Sequence, residues 1–295
     1  QSIPNRTRAL SKGRALKDLV SGGSWDGSIL LLDIDTLTVL GACQPHSEKT
    51  TLDWHNGAIA SGGGDSSLQI LQVSEEISLD GTKGAELTTK HKVSNAHDGS
   101  RISDVKFHPS GKYIASTSFD TTWKLWDLEG MVELYQQEGH AKEIQCGAFQ
   151  TDGSLFFSGG LDSIGRIWDL RLGRSIAVIQ GHAKGIYGAD WSPNGHHLAT
   201  ASGDCTVKIW DMRRINNDVA TIPAHKKLVS DVRFALDVQL STEMVTDANG
   251  AKEENLESRG TFLVTSSFDG ELGIWNADNW LKISGLAGHN DKVMS

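Results

Sequence analysis

Cysteine and proline are scarce in this chain, and long apolar runs are missing. There are three cysteines and five prolines in 295 residues. Cys43, Cys146 and Cys205 lack the paired spacing that a zinc site or a disulfide framework needs, so we expect reduced thiols in an intracellular protein. No apolar run approaches the roughly eighteen residues of a membrane span, and Gln1 opens no charged-then-apolar leader. We therefore expect no membrane partner, and a start without Met suggests a fragment.

Positive charge is also in short supply, with 28 Lys and Arg against 37 Asp and Glu, a formal net charge of −9. Sequence-independent clamping of nucleic acid depends on counterion release through many Lys and Arg contacts, so this balance argues against it. A local basic patch is still compatible with it. The 32 glycines fit many tight turns between short strands of a soluble globular protein.

A motif recurs at a fixed distance along the chain. Gly139-His140 is followed by Asp162 and then by Trp168-Asp169, and the next copy has Gly181-His182, Asp204 and Trp210-Asp211. Asp120, Asp162 and Asp204 are spaced by 42 residues, a period typical of one four-stranded blade of a β-propeller. Length alone allows one large or two small domains, and the repeat favours one.

Six repeats and the start of a seventh can be placed on this period. Their Asp residues are Asp26, Asp65, Asp120, Asp162, Asp204 and Asp269, and the residues six positions later are Leu32, Leu71, Trp126, Trp168, Trp210 and Trp275. The seventh copy opens at Gly288-His289 and stops at Ser295. We predict an all-β, seven-bladed WD-repeat β-propeller over 1–295, with blades near 1–45, 46–96, 97–139, 140–181, 182–224, 225–288 and a truncated seventh at 289–295. Because an open propeller exposes strand edges, we expect the native chain to continue beyond Ser295.

Two stretches interrupt the period. Residues 74–92 form a longer approach to the third blade. Residues 236–260 contain six acids against Lys252 and Arg259 and few large apolar side chains. We predict that they form a solvated excursion between two strands of the sixth blade.

Four residue types travel together through the repeats. They predict a buried hydrogen-bond network of Asp, His, a hydroxyl and the Trp indole, made in successive blades by His97, Ser116, Asp120, Trp126; His140, Ser158, Asp162, Trp168; His182, Thr200, Asp204, Trp210; and His225, Thr265, Asp269, Trp275. One copy, His140, Ser158 and Asp162, also has the residue types of a hydrolase triad. An active site repeated in every blade is implausible, so we interpret the set as structural and expect no catalytic residue.

Metal and cofactor sites are not expected either. His196 and His197 are adjacent in a predicted strand, so their side chains should point to opposite faces and could not easily share an ion. Neither Gly62-Gly63-Gly64 nor Gly22-Gly23 is followed by the Lys-Ser/Thr pair of a phosphate loop.

One face of the propeller collects residues suited to partner binding. Loops after the His positions carry recurring lysines, and apolar residues directly precede several Asp residues. The candidate face comprises Trp25, Arg101, Phe119, Lys142, Leu161, Lys184, Lys226, Lys227, Phe268 and Lys292. A positive ring could receive an acidic peptide or RNA phosphates, although ordinary solvated lysines would give the same pattern.

Several segments carry a family resemblance. They are Ser110 to Leu128 with its extra Trp123, Gly159 to Arg171, Ile186-Tyr187-Gly188, and Ile222-Pro223-Ala224-His225. In this order they resemble the WD-repeat proteins of the spliceosomal U4/U6 small nuclear ribonucleoprotein, the pre-mRNA processing factor four family. The resemblance is strongest from about Asn95 to Phe234 and returns near Leu286 to Val293. The degenerate first repeat, Arg8 to Asp33, and the acidic stretch at 236–260 depart from it.

The resemblance implies a nuclear, non-enzymatic scaffold of the U4/U6 and U4/U6.U5 particles in pre-mRNA splicing. The implied partners are proteins of these particles, including a sister pre-mRNA processing factor, and the U4/U6 RNAs, with direct RNA contact left open. No cofactor and no small-molecule substrate are implied. The family's additional N-terminal region has no counterpart in this sequence.

A second function remains open at this point. Trp168-Asp169-Leu170-Arg171 and Trp210-Asp211-Met212-Arg213 resemble the WDxR element by which substrate receptors of cullin-RING ubiquitin ligases dock on their adaptor. Arg after Trp-Asp is common in blades, so the pattern does not discriminate by itself.

Overall fold

The computed structural model describes residues 6–8, 19–33, 38–77, 83–214, 218–235, 261–289 and 291–294. Within these ranges, 24 strands form six four-stranded antiparallel sheets, each made of four strands consecutive in the chain. The described part of the chain contains no helix that could cross a membrane.

The strands follow one another sheet by sheet. The first sheet has β1 (Arg6–Arg8), β2 (Leu19–Gly23), β3 (Ile29–Asp33) and β4 (Val39–Cys43), and the second has β5 (Thr50–His55), β6 (Ala58–Gly63), β7 (Leu68–Ile77) and β8 (Lys83–Val93). The third has β9 (Ile102–Phe107), β10 (Tyr113–Ser118), β11 (Trp123–Asp127) and β12 (Val132–Gln137), and the fourth has β13 (Ile144–Phe149), β14 (Leu155–Gly160), β15 (Ile164–Asp169) and β16 (Arg174–Gln180). The fifth has β17 (Ile186–Trp191), β18 (His197–Ser202), β19 (Val207–Asp211) and β20 (Asp218–Ile222), and the sixth has β21 (Val229–Ala235), β22 (Phe262–Ser267), β23 (Glu271–Asn276) and β24 (Lys282–Ala287).

The blade count predicted from the sequence is wrong, because the structure has six blades and not seven. The segment that starts the seventh repeat is too short to supply four strands. Its described part lies against the sixth sheet instead, where the Val293 N–H donates to the Ser267 carbonyl over 3.1 Å. The Ser230 hydroxyl donates in turn to the Val293 carbonyl over 2.6 Å. Residues 291–294 therefore pack against the sixth sheet and do not form a separate blade.

The core lies between neighbouring sheets, as expected where each sheet buries both faces. The packing of the fourth sheet on the fifth shows it, since Phe157 and Ile167 belong to one apolar cluster with Ile186 and Leu198. Between the third and fourth sheets, the Trp123 ring is completely buried and its centroid lies 4.4 Å from that of Phe156. The outer strands are the most exposed, which leaves apolar packing concentrated in the first three strands of each sheet.

Acidic side chains of the innermost strands tie adjacent sheets together. Asp53 accepts a hydrogen bond from the Phe107 N–H of the next sheet over 2.7 Å, and Asp104 accepts one from the Gly147 N–H over 3.2 Å. Asp190 does the same with the Phe234 N–H over 2.8 Å. Each carboxylate thus satisfies a backbone donor of its neighbour, and the repeat aligns successive sheets through backbone as well as apolar contacts.

The two interruptions of the period have different outcomes. Residues 74–92 include the ends of two long strands, β7 and β8, which pair from Leu68 with Val93 to Ile77 with Lys83. This stretch is thus an extended hairpin of the second sheet, although residues 78–82 are not described. The acidic stretch at 236–260, between β21 and β22, lies outside the described residues.

Candidate partner-binding face

The turn between the second and third strands of each sheet carries the repeated Asp, and we call it the Asp turn. In the fifth sheet, Asp204 accepts hydrogen bonds from the Thr206 N–H at 3.0 Å and the Ala183 N–H at 3.0 Å. Its Oδ2 lies 2.9 Å from Nδ1 of His182. The carboxylate therefore closes its own turn and also holds the loop that enters the sheet.

The contacts continue inward from His182 to the core. Its Nε2 lies 2.9 Å from the Thr200 hydroxyl, which accepts a 2.9 Å hydrogen bond from the Trp210 indole N–H. Because a carboxylate can only accept, Nδ1 donates, and Nε2 accepts the hydroxyl hydrogen. Every polar side-chain atom of this network of Asp204, His182, Thr200 and Trp210 then has a hydrogen-bond partner.

Three other sheets bring the predicted residues together in the same way. The separations between His and Asp, between His and the hydroxyl, and between the indole and the hydroxyl are 2.7, 2.7 and 2.8 Å for His97, Asp120, Ser116 and Trp126. They are 3.0, 2.8 and 2.8 Å for His140, Asp162, Ser158 and Trp168. They are 3.2, 2.8 and 3.1 Å for His225, Asp269, Thr265 and Trp275.

The second sheet contains a partial network that the sequence prediction missed. His46 lies 3.1 Å from Asp65 and 3.0 Å from the Ser61 hydroxyl, and both His46 and Ser61 are buried. Leu71 occupies the Trp position and packs with Ile59 in an apolar cluster. The equal placement of Ser61 and Ser116, four residues before their Asp, is the signal that could have found it.

The environment of the network keeps several histidines neutral. Burial lowers the pKa of His46, His140, His182 and His225, and it outweighs the opposing effect of the Asp partners. Burial alone would raise the pKa of Asp204, but hydrogen bonds from Thr206 and His182 lower it to about 2. A neutral imidazole beside a carboxylate is the pairing that the hydrogen-bond pattern requires.

This chemistry does not fit catalysis or metal binding. Ser158 is fully buried, and its oxygen already accepts the indole hydrogen bond of Trp168, so no substrate carbonyl could approach it. His225, Asp269 and Glu271 place ligand atoms within 4.8 Å of one another. Both ring nitrogens of His225 are engaged by Asp269 and Thr265, which leaves that ring without a free lone pair for an ion.

Each Asp turn also fixes an unusual backbone conformation at the next residue. Ser66, Thr121, Ser163 and Cys205 have φ values of 62°, 72°, 65° and 70°, in the left-handed region. The corresponding residues of the first and sixth sheets are Gly27 and Gly270, at 84° and 85°. A β-branched residue is disfavoured there, so the surrounding hydrogen bonds must hold Thr121 in place.

The Asp turns and the loops entering each innermost strand lie at one end of the propeller, which we call the Asp-turn face. The lysines of the candidate face, Lys142, Lys184, Lys226, Lys227 and Lys292, are all exposed there. Trp25 is 54% exposed, whereas Phe119, Leu161 and Phe268 are half-buried. The structure brings Lys292 within 5.1 Å of the Phe268 ring and Arg101 within 4.9 Å of the Phe119 ring.

Glycines replace the apolar residue before the Asp at two places in this ring of side chains. Gly64 stands where the neighbouring sheets have Trp25 and Phe119, and a Cβ there would lie 2.8 Å from the Glu48 side chain. Gly203 stands between Leu161 and Phe268, and a Cβ there would lie 3.2 Å from the Tyr187 ring. The side chains of Glu48 and Tyr187 therefore occupy the space beside the two glycines and interrupt the row of apolar residues.

The repeat geometry agrees with known proteins. The WD domain, G-beta repeat family matches residues 88–127, 131–169 and 173–211. The chain is 46% identical over 283 residues, 94% of its length, to the U4/U6 small nuclear ribonucleoprotein PRP4 of Saccharomyces cerevisiae (strain ATCC 204508 / S288c). The chain is a PRP4-like WD-repeat protein.

Other relatives of this PRP4-like chain match much less of it. Coronin-7 of Homo sapiens is 31% identical over 124 residues, 39% of this chain and 12% of that protein. Coronin-7 of Rattus norvegicus is 36% identical over 68 residues, 23% of this chain and 7% of that protein. The chain spans 55% of the yeast PRP4 sequence, about half its length.

Proposed function

We propose that the PRP4-like propeller is a non-enzymatic scaffold of the nuclear U4/U6 small nuclear ribonucleoprotein in pre-mRNA splicing. The observation that carries the proposal is the 46% identity to yeast PRP4 across 94% of the chain. The similarity covers the whole propeller, which supports a shared use of the fold. A similarity limited to the Trp-Asp motifs would support the fold alone.

The Asp-turn face is the part of the molecule that we propose for partner binding. The networks repeat in the interior of successive sheets, whereas the half-buried apolar residues of the face differ from sheet to sheet and the lysines recur beside them, exposed to solvent. Binding residues commonly lie in such loops, held by a rigid scaffold. We propose that this face binds proteins of the particle, including a sister pre-mRNA processing factor, and that contact with U4/U6 RNA is secondary.

Acidic groups on the same face favour protein partners over RNA. Asp98 and Glu138 are exposed beside a cavity of about 530 Å³ that Asp120 and His140 also line, between the third and fourth sheets. Phosphates would meet these carboxylates as well as the lysines. A protein partner with both charges can match such a mixed surface.

No observation favours the ubiquitin-ligase alternative. The Arg213 guanidinium is paired over 2.8 Å with Asp211, two residues earlier in the chain, and the similar yeast protein belongs to the U4/U6 small nuclear ribonucleoprotein. This pairing gives Arg213 a local structural role.

The decisive experiment purifies the full-length protein with its partners from nuclear extract at moderate salt and sequences the bound RNA. We expect enrichment of U4 and U6 RNAs together with the proteins of their particle. The combined Lys142→Glu, Lys184→Glu and Lys227→Glu variant should lose protein partners. The matched variant Arg171→Glu and Arg214→Glu changes exposed residues at the opposite end of the propeller and should retain them. Purification of the protein without U4 and U6 RNAs would refute its assignment to the U4/U6 particle. Unchanged copurification of protein partners with the lysine variant would show that the Asp-turn face does not bind them.

A further inference from the structure

An arginine on the Asp-turn face is held between two aromatic rings from different sheets. The Arg101 Cζ lies 4.9 Å from the centroid of the Phe119 ring and 5.8 Å from that of the Trp25 ring. Its carbonyl accepts hydrogen bonds from the Phe119 N–H at 3.0 Å and the Ser118 hydroxyl at 2.9 Å. The position of the charge is therefore fixed from both ends.

This guanidinium has an unpaired donor. Its Nε is buried and has no hydrogen-bond partner among the described residues. Burial lowers the pKa of Arg101, and the charge of Glu48 opposes that shift. An arginine remains protonated under these conditions, so a positive charge with an unpaired Nε–H lies beside the two rings. A buried donor without a partner is unfavourable, so an acceptor that reaches the guanidinium would be stabilised there.

Apolar surface and a second cation adjoin the guanidinium. Trp25 is 54% exposed, and the Lys49 Nζ lies 4.4 Å from its ring centroid. Tryptophan and arginine are among the residue types enriched at the binding hot spots of protein interfaces. The guanidinium and the exposed indole ring can therefore contact one anion and one apolar group side by side.

The surrounding charges select the kind of partner. Asp26, Glu48 and Asp65, which adjoin Trp25, Lys49 and Gly64 in the sequence, are exposed on the same face. A single-stranded RNA would bring a phosphate for every base it stacks, and these carboxylates would repel them. One carboxylate on a protein segment can reach Arg101 without approaching the other acids. The local charge thus favours a peptide with an isolated acidic side chain.

We propose that Trp25, Lys49, Arg101 and Phe119 form a docking site for a protein segment in which an Asp or Glu is next to a large apolar residue. The carboxylate accepts hydrogen bonds from the Arg101 guanidinium, including its Nε–H, and the apolar side chain packs on the Trp25 ring. This inference rests on the proposed function, because it specifies the chemistry that one part of the Asp-turn face recognises.

The site can be tested with a capped hexapeptide of Gly and Ser that carries one Glu next to one Leu, titrated into the protein up to millimolar concentration. Amide and side-chain correlation spectra follow the Trp25 indole N–H and the Arg101 Nε–H. We expect saturable shifts at both groups and weaker or no binding of the matching Gln and Leu peptide. Arg101→Ala should raise the dissociation constant about tenfold or more, as expected for loss of a charged hydrogen bond. Trp25→Ala should also weaken binding, and Arg171→Ala at the opposite end should not.

Folding and nucleic-acid binding are controlled in the same series. Arg101→Lys retains the charge without the planar donors and should bind with an intermediate constant, which tests the site even if Arg101→Ala unfolds. Equal binding of the Glu and Gln peptides, no saturable shift, or preferential binding of an eight-residue oligouridylate would overturn the proposal. Copurification of U4 and U6 RNAs tests the proposed function, and the peptide titration tests the docking site. Either proposal can therefore fail while the other stands.

Discussion

The fifth and second sheets contain the same repeat, but only the fifth keeps its tryptophan. In the fifth sheet, the Thr200 hydroxyl joins His182 to the Trp210 indole. In the second, the Ser61 hydroxyl meets His46 but no indole, and Leu71 packs in an apolar cluster. The Asp turn and the His are present in both. The tryptophan is therefore an addition to the network, which can be exchanged for apolar packing while the turn is kept.

Removing the hydroxyl at the centre of the network should give the largest difference in lost stability between the fifth and second sheets. We expect Thr200→Val to destabilise the protein by about 3 kcal/mol, because His182 and Trp210 both lose a buried partner. Ser61→Ala should cost about 1–2 kcal/mol, because only His46 loses one. Urea unfolding measures both, and Thr200→Ser, which keeps the hydroxyl, should cost roughly 1 kcal/mol for the lost methyl. Equal costs for the Val and Ser variants of Thr200 would show that packing matters there and hydrogen bonding does not.

Removing the indole donor should leave the fifth sheet with the same partial network as the second sheet. Trp210→Phe leaves the contact between His182 and Thr200 but deletes the hydrogen bond from the indole, and we expect a loss of about 1–2 kcal/mol. Trp25→Phe is the matched control, because that ring is mostly exposed, and should stay within about 0.5 kcal/mol. The same unfolding measurement applies. A larger loss at Trp25 than at Trp210 would contradict the role given to the indole.

The smallest effect per residue is expected from histidine protonation, which the two sheets share. The pKa of His46, His140, His182 and His225 is lowered in the folded protein from an ordinary value of 6.5. As pH falls below that value the unfolded chain binds protons first, so stability present above about pH 6.5 is lost progressively. Thermal unfolding at pH 7, 6 and 5 should show a falling midpoint. His182→Gln should reduce the slope, and a midpoint independent of pH over this range would exclude the effect.

The regular part of the propeller could be predicted from the sequence because the decisive contacts are local within a repeat. His182 and Asp204 are separated by the same distance along the chain as His140 and Asp162, so one pattern identifies both pairs. The blade count failed where a marker, Gly288-His289, was counted without the four strands that a blade needs. His46 and Ser61 were missed because the prediction required a tryptophan, and Leu71 replaces it.

The placement of Arg101 beside the Trp25 and Phe119 rings could not be predicted from the sequence, for a physical reason. Trp25 and Phe119 are far apart in sequence and belong to the first and third sheets, and Arg101 lies near both rings. Such contacts arise from the arrangement of the sheets around the propeller, which no periodicity encodes. The candidate face was therefore predicted as a set of exposed residues, and their pairing came only from the structure.

The left-handed residue after each Asp has a consequence for how the Asp-turn face can change over time. Ser66, Thr121, Ser163 and Cys205 differ in size and polarity but share one backbone conformation. The hydrogen bonds of the preceding Asp impose that conformation at the expense of roughly 1–2 kcal/mol of local strain. Ser66 is buried, but Thr121, Ser163 and Cys205 are half-buried, so substitution at these three positions can alter the chemistry presented to a partner while the loop keeps its shape. The interior network gives the surface freedom to diversify, one sheet at a time.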